Sequence, residues 1–315
     1  MKYLLLFVWA VSLNQSTFAA DAVQPKALPP APDGVVIQAN LSYLPATRAE
    51  KLDLYLPAHR EKSVKSPAVV IIHGGGWSGG DKSAAREFNI GTTLAKAGYV
   101  CISVEYLKEN GKRWPTNLLD CKNAVRYLRT KAAEYQIDPD HIGVIGGSAG
   151  GHLALMVSYT TNVKELESDA LYPGISDAVQ ACVDLYGPAN LLTRKTIAKD
   201  GTPGQIIPAK SNLVYGPGGP PEDEKLWILA SPVNHVHATA PPTLILHGTI
   251  DTTVDRDQSI ELDKKLTAFG VEHQLILLEG TGHTFDLQTW NKKRLPKDLR
   301  PIVTEFFDKH LKPKK

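Results

Sequence analysis

Ser148 stands in "HIGVIGGSAGGHLALM" (141–156), within Gly146-Gly147-Ser148-Ala149-Gly150. That is a G-x-S-x-G pattern, which presents a serine on a sharp turn between a strand and a helix. A serine hydroxyl is a weak nucleophile near neutral pH and needs a base. It also needs N–H donors for the oxyanion formed when it attacks a carbonyl. His283, in "EGTGHTFD", follows an apolar run and suits the base. Asp251, in "LHGTIDTTVD", suits the carboxylate that orients the imidazole. Asp255 and Asp257 lie nearer the next helix and read as capping or dipole partners. Gly75 and Gly76, in His73-Gly74-Gly75-Gly76-Trp77, and Ala149 supply the expected oxyanion amides. In chain order these are Ser, Asp and His, and the chemistry they offer together is acyl transfer.

These residues need strands that end at one edge of a sheet. Apolar runs at 67–75, 99–106, 141–147, 179–187, 242–248 and 273–280 fit that need. Several are apolar throughout, as strands covered on both faces of a mostly parallel sheet are. Helix patterns lie between them at 117–135, 150–160, 256–270 and 299–311. The alternation predicts an α/β fold, a mostly parallel central sheet with helices on both faces. His73 and His247 each precede a glycine at a strand end and read as loop braces, and His152 falls inside the helix after Ser148. Residues 189–227, rich in Gly and Pro, form a long excursion between two strands, of the kind used as lids or walls.

The 315 residues carry 35 Lys and Arg against 33 Asp and Glu, a net charge of +2. That balance gives no electrostatic reason to expect nucleic acid or an anionic membrane as partner. Residues 1–19 combine Lys2, an apolar stretch from Tyr3 to Leu13 and small residues at Thr17 and Ala19, the parts of a secretory signal peptide. The stretch is shorter than the roughly 20 residues a membrane span needs, and no Cys follows it to carry a lipid. A secreted or periplasmic protein without a stable anchor is expected. Residues 20–36 read as a Pro-rich leader and 37–315 as one domain. Cys101, Cys121 and Cys182 sit in apolar contexts and read as buried thiols. No spacing indicates a metal site.

HGGGW, GGSAGG, "LHGTIDTTV" and "GHTF" resemble the α/β-hydrolase esterases of the hormone-sensitive-lipase-like group. The likeness is nearer to secreted bacterial esterases that remove acetyl or feruloyl groups from xylan and related polysaccharides. It runs from about Leu52 to about Phe307. The resemblance implies a Ser148-Asp251-His283 esterase without a cofactor, acting on a carbohydrate ester. Three positions depart from the group's pattern: Gly147 where many members have Asp, Leu107 after Tyr106 where Arg is usual, and Asp255 where Pro is common. Trp77 and Trp114 are expected at the substrate, with Trp114, Trp227 and Trp290 as candidates to stack on sugar or aryl rings. Kynurenine formamidases, with a similar HGG-x-W loop, and prolyl-oligopeptidase-type peptidases are the rival enzymes. A hydrolase-like binding protein without catalysis is the rival from another class.

Overall fold

The computed structural model describes residues 28–61, 63–108, 114–167, 171–198, 203–206 and 224–313. The expected 1–19 signal peptide and residues 20–27 of the expected leader lie outside them. An eight-stranded sheet is built from β1 (Val35–Leu41), β2 (Leu52–Pro57), β3 (Ser66–Ile72), β4 (Val100–Val104), β5 (Ile137–Gly147), β6 (Ala181–Leu185), β9 (Thr243–Gly248) and β10 (His273–Leu278). Its order is β1-β2-β4-β3-β5-β6-β9-β10. The β1–β2 and β2–β4 pairs are antiparallel and the other five are parallel. Because β1 begins at Val35, which is buried, the domain starts two residues before the 37 expected from sequence.

The apolar runs are inner strands for a direct reason. Every residue of β3, β4, β6 and β9 is buried, whereas the edge strands β1 and β10 alternate with exposed positions. Successive side chains of β3 enter opposite cores. Val70 and Ile72 join α2 (Thr116–Thr130), α4 (Ala149–Tyr159) and α6 (Asp257–Ala268) on one face. Val69 and Ile71 join α1 (Ala85–Lys96) and α7 (Arg300–Leu311) on the other. The stretch 117–135 is two helices rather than one, since the chain breaks at Lys131 before α3 (Ala132–Tyr135). Helix α1, absent from the sequence reading, carries Gly91 at its middle, which weakens the helical signal.

The excursion is described at its two ends. A hairpin of β7 (Lys195–Ile197) and β8 (Pro203–Ile206) leads out, and α5 (Glu224–Leu229) leads back. A second small hairpin, β11 (Thr289–Trp290) with β12 (Lys293–Arg294), precedes α7. All three cysteines are buried and unpaired.

Candidate active site

Ser148 follows β5, His73 follows β3, Asp251 follows β9 and His283 follows β10, all at the carboxyl ends of parallel strands. Crevices at that edge are where ligands bind in open α/β sheets. Ser148 has φ 58° and ψ −123°, a conformation side chains rarely adopt, at the junction of β5 and α4. The turn is held because its N–H donates to the Leu185 carbonyl (2.8 Å) and its carbonyl accepts from His152 N (3.0 Å). Close approach forces a glycine at 150, where a Cβ would run into the Ile72 carbonyl.

The structure brings the three predicted side chains together. His283 Nε2 lies 2.9 Å from Ser148 Oγ, and His283 Nδ1 lies 2.6 Å from Asp251 Oδ2. Asp251 Oδ1 accepts the Thr253 and Val254 N–H groups at 2.8 and 3.0 Å. Its Oδ2 also faces His247 Nε2 at 3.4 Å. Burial would push the Asp251 carboxyl up, but the His247 and His283 contacts outweigh it and hold it well below the usual carboxylate range. His247 is a loop brace, as its position predicts: its Nδ1 meets Ser259 Oγ at 2.7 Å and its Nε2 meets the Val254 carbonyl at 3.0 Å.

Asp255 and Asp257 do not reach His283. Asp255 caps no helix: its Oδ2 accepts Lys195 N at 2.8 Å, pinning β7 to the Asp251 loop. Asp257 is the first residue of α6 and pairs with Lys195 Nζ at 2.8 Å.

Gly75 and Gly76 have φ of 120° and 59°, which turns the backbone after β3 along the cavity. That cavity, about 500 Å³, is bounded by Gly75, Gly76, Arg86, Ser148, Thr253 and His283. Ala149 is the first residue of α4, so its N–H has no partner within the helix. His73 braces the glycine loop. Its Nδ1 contacts the Gly74 carbonyl (2.7 Å), its Nε2 meets Glu105 Oε1 (2.9 Å), and its ring stacks on Tyr106 at 4.3 Å. Burial would raise the Glu105 carboxyl, yet His73 and Lys108 outweigh that and bring it down to about 2.

The tryptophan expectations need correction. Trp77 is buried and donates from Nε1 to His152 Nδ1 at 3.3 Å, so it is a core residue rather than a substrate contact. Trp114 packs toward the same His152, with ring centres 6.2 Å apart, and is not among the described residues bounding the cavity. Trp227 is also buried. Trp290 donates to the His283 carbonyl at 2.8 Å and so holds the loop of the base. Tyr186, which sequence reasoning missed, sets its ring edge-on to His283 at 4.7 Å and donates to the Phe285 carbonyl at 2.6 Å. Its place directly after β6 was the available signal. Among the described residues, no group of three His, Cys, Asp or Glu side chains is placed to hold a metal.

Known proteins share this arrangement of the chain. The BD-FAE family model matches residues 52–266. Over 273 residues the chain is 29% identical to Esterase LipQ of Mycobacterium tuberculosis, covering 85% of this chain and 61% of that protein. Among solved structures, a truncated carbohydrate esterase from gut microbiota superposes with a TM-score of 0.73 at 29% identity, covering 89% of this chain and 98% of that one. Thermogutta terrifontis esterase 2 phosphorylated by paraoxon gives a TM-score of 0.66 at 26% identity, covering 91% and 98%. The chain spans 54–61% of the length of the first three curated relatives.

Proposed function

Because the chain belongs to the BD-FAE family of α/β hydrolases, we propose that it hydrolyses carboxylic esters through Ser148, His283 and Asp251. One observation carries this reading: the hydrogen-bonded chain from Ser148 Oγ through His283 to Asp251, opening on a cavity edged by Gly75 and Gly76. His283 Nε2 takes the Ser148 proton as Oγ attacks the acyl carbon. The Gly75, Gly76 and Ala149 N–H groups receive the oxyanion, and Asp251 stabilises the imidazolium. The tetrahedral intermediate then collapses, His283 gives its proton to the leaving alcohol, and an acyl-Ser148 remains. Water, deprotonated by His283, attacks that acyl group by the same steps and frees Ser148 as the acid departs. No step calls for a cofactor.

The substrate is an acetyl or feruloyl ester on a polysaccharide, a reading supported by the likeness to a carbohydrate esterase. The protein is exported to the periplasm or beyond, on the strength of residues 1–19. Exported protein would then begin at Ala20, which N-terminal sequencing reads directly.

The test uses residues 20–315 with p-nitrophenyl acetate, acetylated xylan, methyl ferulate and N-formylkynurenine. Ester turnover lost in Ser148→Ala, with one paraoxon-derived phosphoryl group per wild-type chain on Ser148, is the expected result. Turnover that survives the substitution refutes the nucleophile. Turnover of the formamide alone refutes the substrate class in favour of the formamidase reading.

A further inference from the structure

Arg86, in the first turn of α1, is a charged side chain on the cavity wall that the hydrolytic steps leave unused. A guanidinium has five N–H donors. Nε and Nη2 both donate to Glu87 Oε1, at 2.8 and 2.5 Å, and Nη1 donates to the Tyr186 hydroxyl at 2.8 Å. Among the described residues these are its hydrogen-bond partners. One N–H remains on Nη1 and one on Nη2. The side chain keeps 15% of its surface exposed.

Two glycines make room for it beside the nucleophile. A Cβ on Gly147 would stand 2.7 Å from Nη1 and 2.8 Å from Cζ. A Cβ on Gly74 would stand 3.1 Å from Nη2 and 3.2 Å from Ser148 Cβ. The guanidinium edge therefore lies within a side chain's breadth of Ser148, and Gly147 is a requirement of that placement. Glu87, only 1% exposed, neutralises the charge, and Asp81 bounds the same cavity. The fork offers hydrogen-bond donors with no net positive charge around it, so a neutral polyol suits it and a carboxylate would meet Glu87 and Asp81.

We propose that Arg86 is a specificity-determining residue whose free Nη1 and Nη2 hydrogens bind oxygens of a neutral sugar alcohol next to the scissile ester. This rests on the esterase reading above. The acyl oxygen of an acetyl ester is taken by the oxyanion amides, so the remaining acceptors within reach belong to the alcohol. Arg86 also fixes Tyr186, and through it the His283 ring, but that positioning serves every ester alike.

The experiment compares kcat/KM on an acetylated xylooligosaccharide with kcat/KM on p-nitrophenyl acetate, whose alcohol carries no sugar oxygens. Wild type, Arg86→Gln and Arg86→Lys are measured, with active sites counted from the p-nitrophenol released stoichiometrically by paraoxon, so that misfolded chains are not scored. Hydrogen bonds from a charged donor predict that the ratio of the two constants falls about 10- to 100-fold in Arg86→Gln, with Arg86→Lys between. A ratio within threefold of wild type in Arg86→Gln overturns the proposal. A ratio that falls only when the sugar is an acetylated glucuronic acid overturns the assignment to a neutral alcohol. Wild-type chains that turn over neither ester sink the esterase reading instead, which separates the two failures.

Discussion

Asp251→Asn is the substitution whose consequence can be traced atom by atom. The carboxylate Oδ1 accepts two backbone N–H groups, from Thr253 and Val254, so in the amide the oxygen stays on that side. The NH2 then occupies the place of Oδ2, facing His283 Nδ1. His247 cannot accept from it, because His247 Nε2 already faces the Val254 carbonyl and must carry its own hydrogen. His283 Nδ1 is left to accept, which moves the imidazole proton to Nε2, the nitrogen 2.9 Å from Ser148 Oγ. A protonated Nε2 cannot take the serine proton. The wrong tautomer and the lost carboxylate charge together predict a kcat lower by about 10³- to 10⁴-fold. KM should move little, since the cavity wall is untouched. The assay is steady-state turnover of p-nitrophenyl acetate, with paraoxon labelling to count sites. Asp255→Asn is the comparison, because Asp255 holds Lys195 N and not the imidazole. A loss in Asp251→Asn below tenfold, or one matched by Asp255→Asn, refutes the reasoning.

Two carboxyl groups give pH effects of opposite sign. Glu105 is held at about 2 when folded, so its contribution is complete above the ordinary carboxylate range and lost as pH falls from about 4.5 to 2. It amounts to about 3 kcal/mol on the linkage relation. Glu105→Gln should melt several degrees lower at pH 7 and converge with wild type toward pH 2, and a pH-independent gap would contradict this. Asp184 is pushed up to about 7 by burial, against the opposing charge of His247 and the Gly187 N–H. Its contribution is complete below its ordinary range and lost as pH rises toward 7. Asp184→Asn keeps an acceptor for Gly187 N (2.9 Å), so its melting temperature should gain on wild type as pH rises from about 4 to about 7. Parallel melting curves across that range would refute the assignment.

Local sequence signals made the chemistry legible where function forces residue type. Ser148 needed small neighbours on a strained turn, and Gly150 shows why: its Cβ would collide with the Ile72 carbonyl. The inner strands were readable because burial on both faces makes a strand apolar throughout, as in β3 and β9. The edge strand β1 was not, since it exposes half its side chains and hides its pattern beside a Pro-rich stretch. The tryptophans misled because aromatic type says nothing of direction. Trp77 turns into the core toward His152, while Trp290 serves the His283 loop through a main-chain carbonyl. Tyr186 reaches the Phe285 carbonyl across 99 positions, Arg86 reaches Tyr186 across 100 and Glu105 reaches His73 across 32, and no local pattern records such partners.

The site depends on keeping three separate loops in register, and each is tied by a different device. The glycine loop is fixed by His73, stacked on Tyr106 and bonded to Glu105. The His283 loop is fixed by Tyr186 and Trp290 through the Phe285 and His283 carbonyls. The Asp251 loop is fixed from outside the sheet. Arg194 donates to the Thr253 carbonyl at 2.9 Å, and Asp255 takes Lys195 N, so the start of the excursion is sewn onto the loop that carries the acid. Gln258 Oε1, accepting Ala189 N and Asn190 N, and Glu261, accepting Asn190 and Thr193, extend that seam along α6. The described start of the excursion is thereby a fixed wall: moving it would strip acceptors from five buried or half-buried donors at once. It follows that Asp255, out of place beside a family pattern with Pro, has a structural reason. Proline has no carboxylate to receive Lys195 N, and this chain uses that contact to lock its excursion to the acid loop.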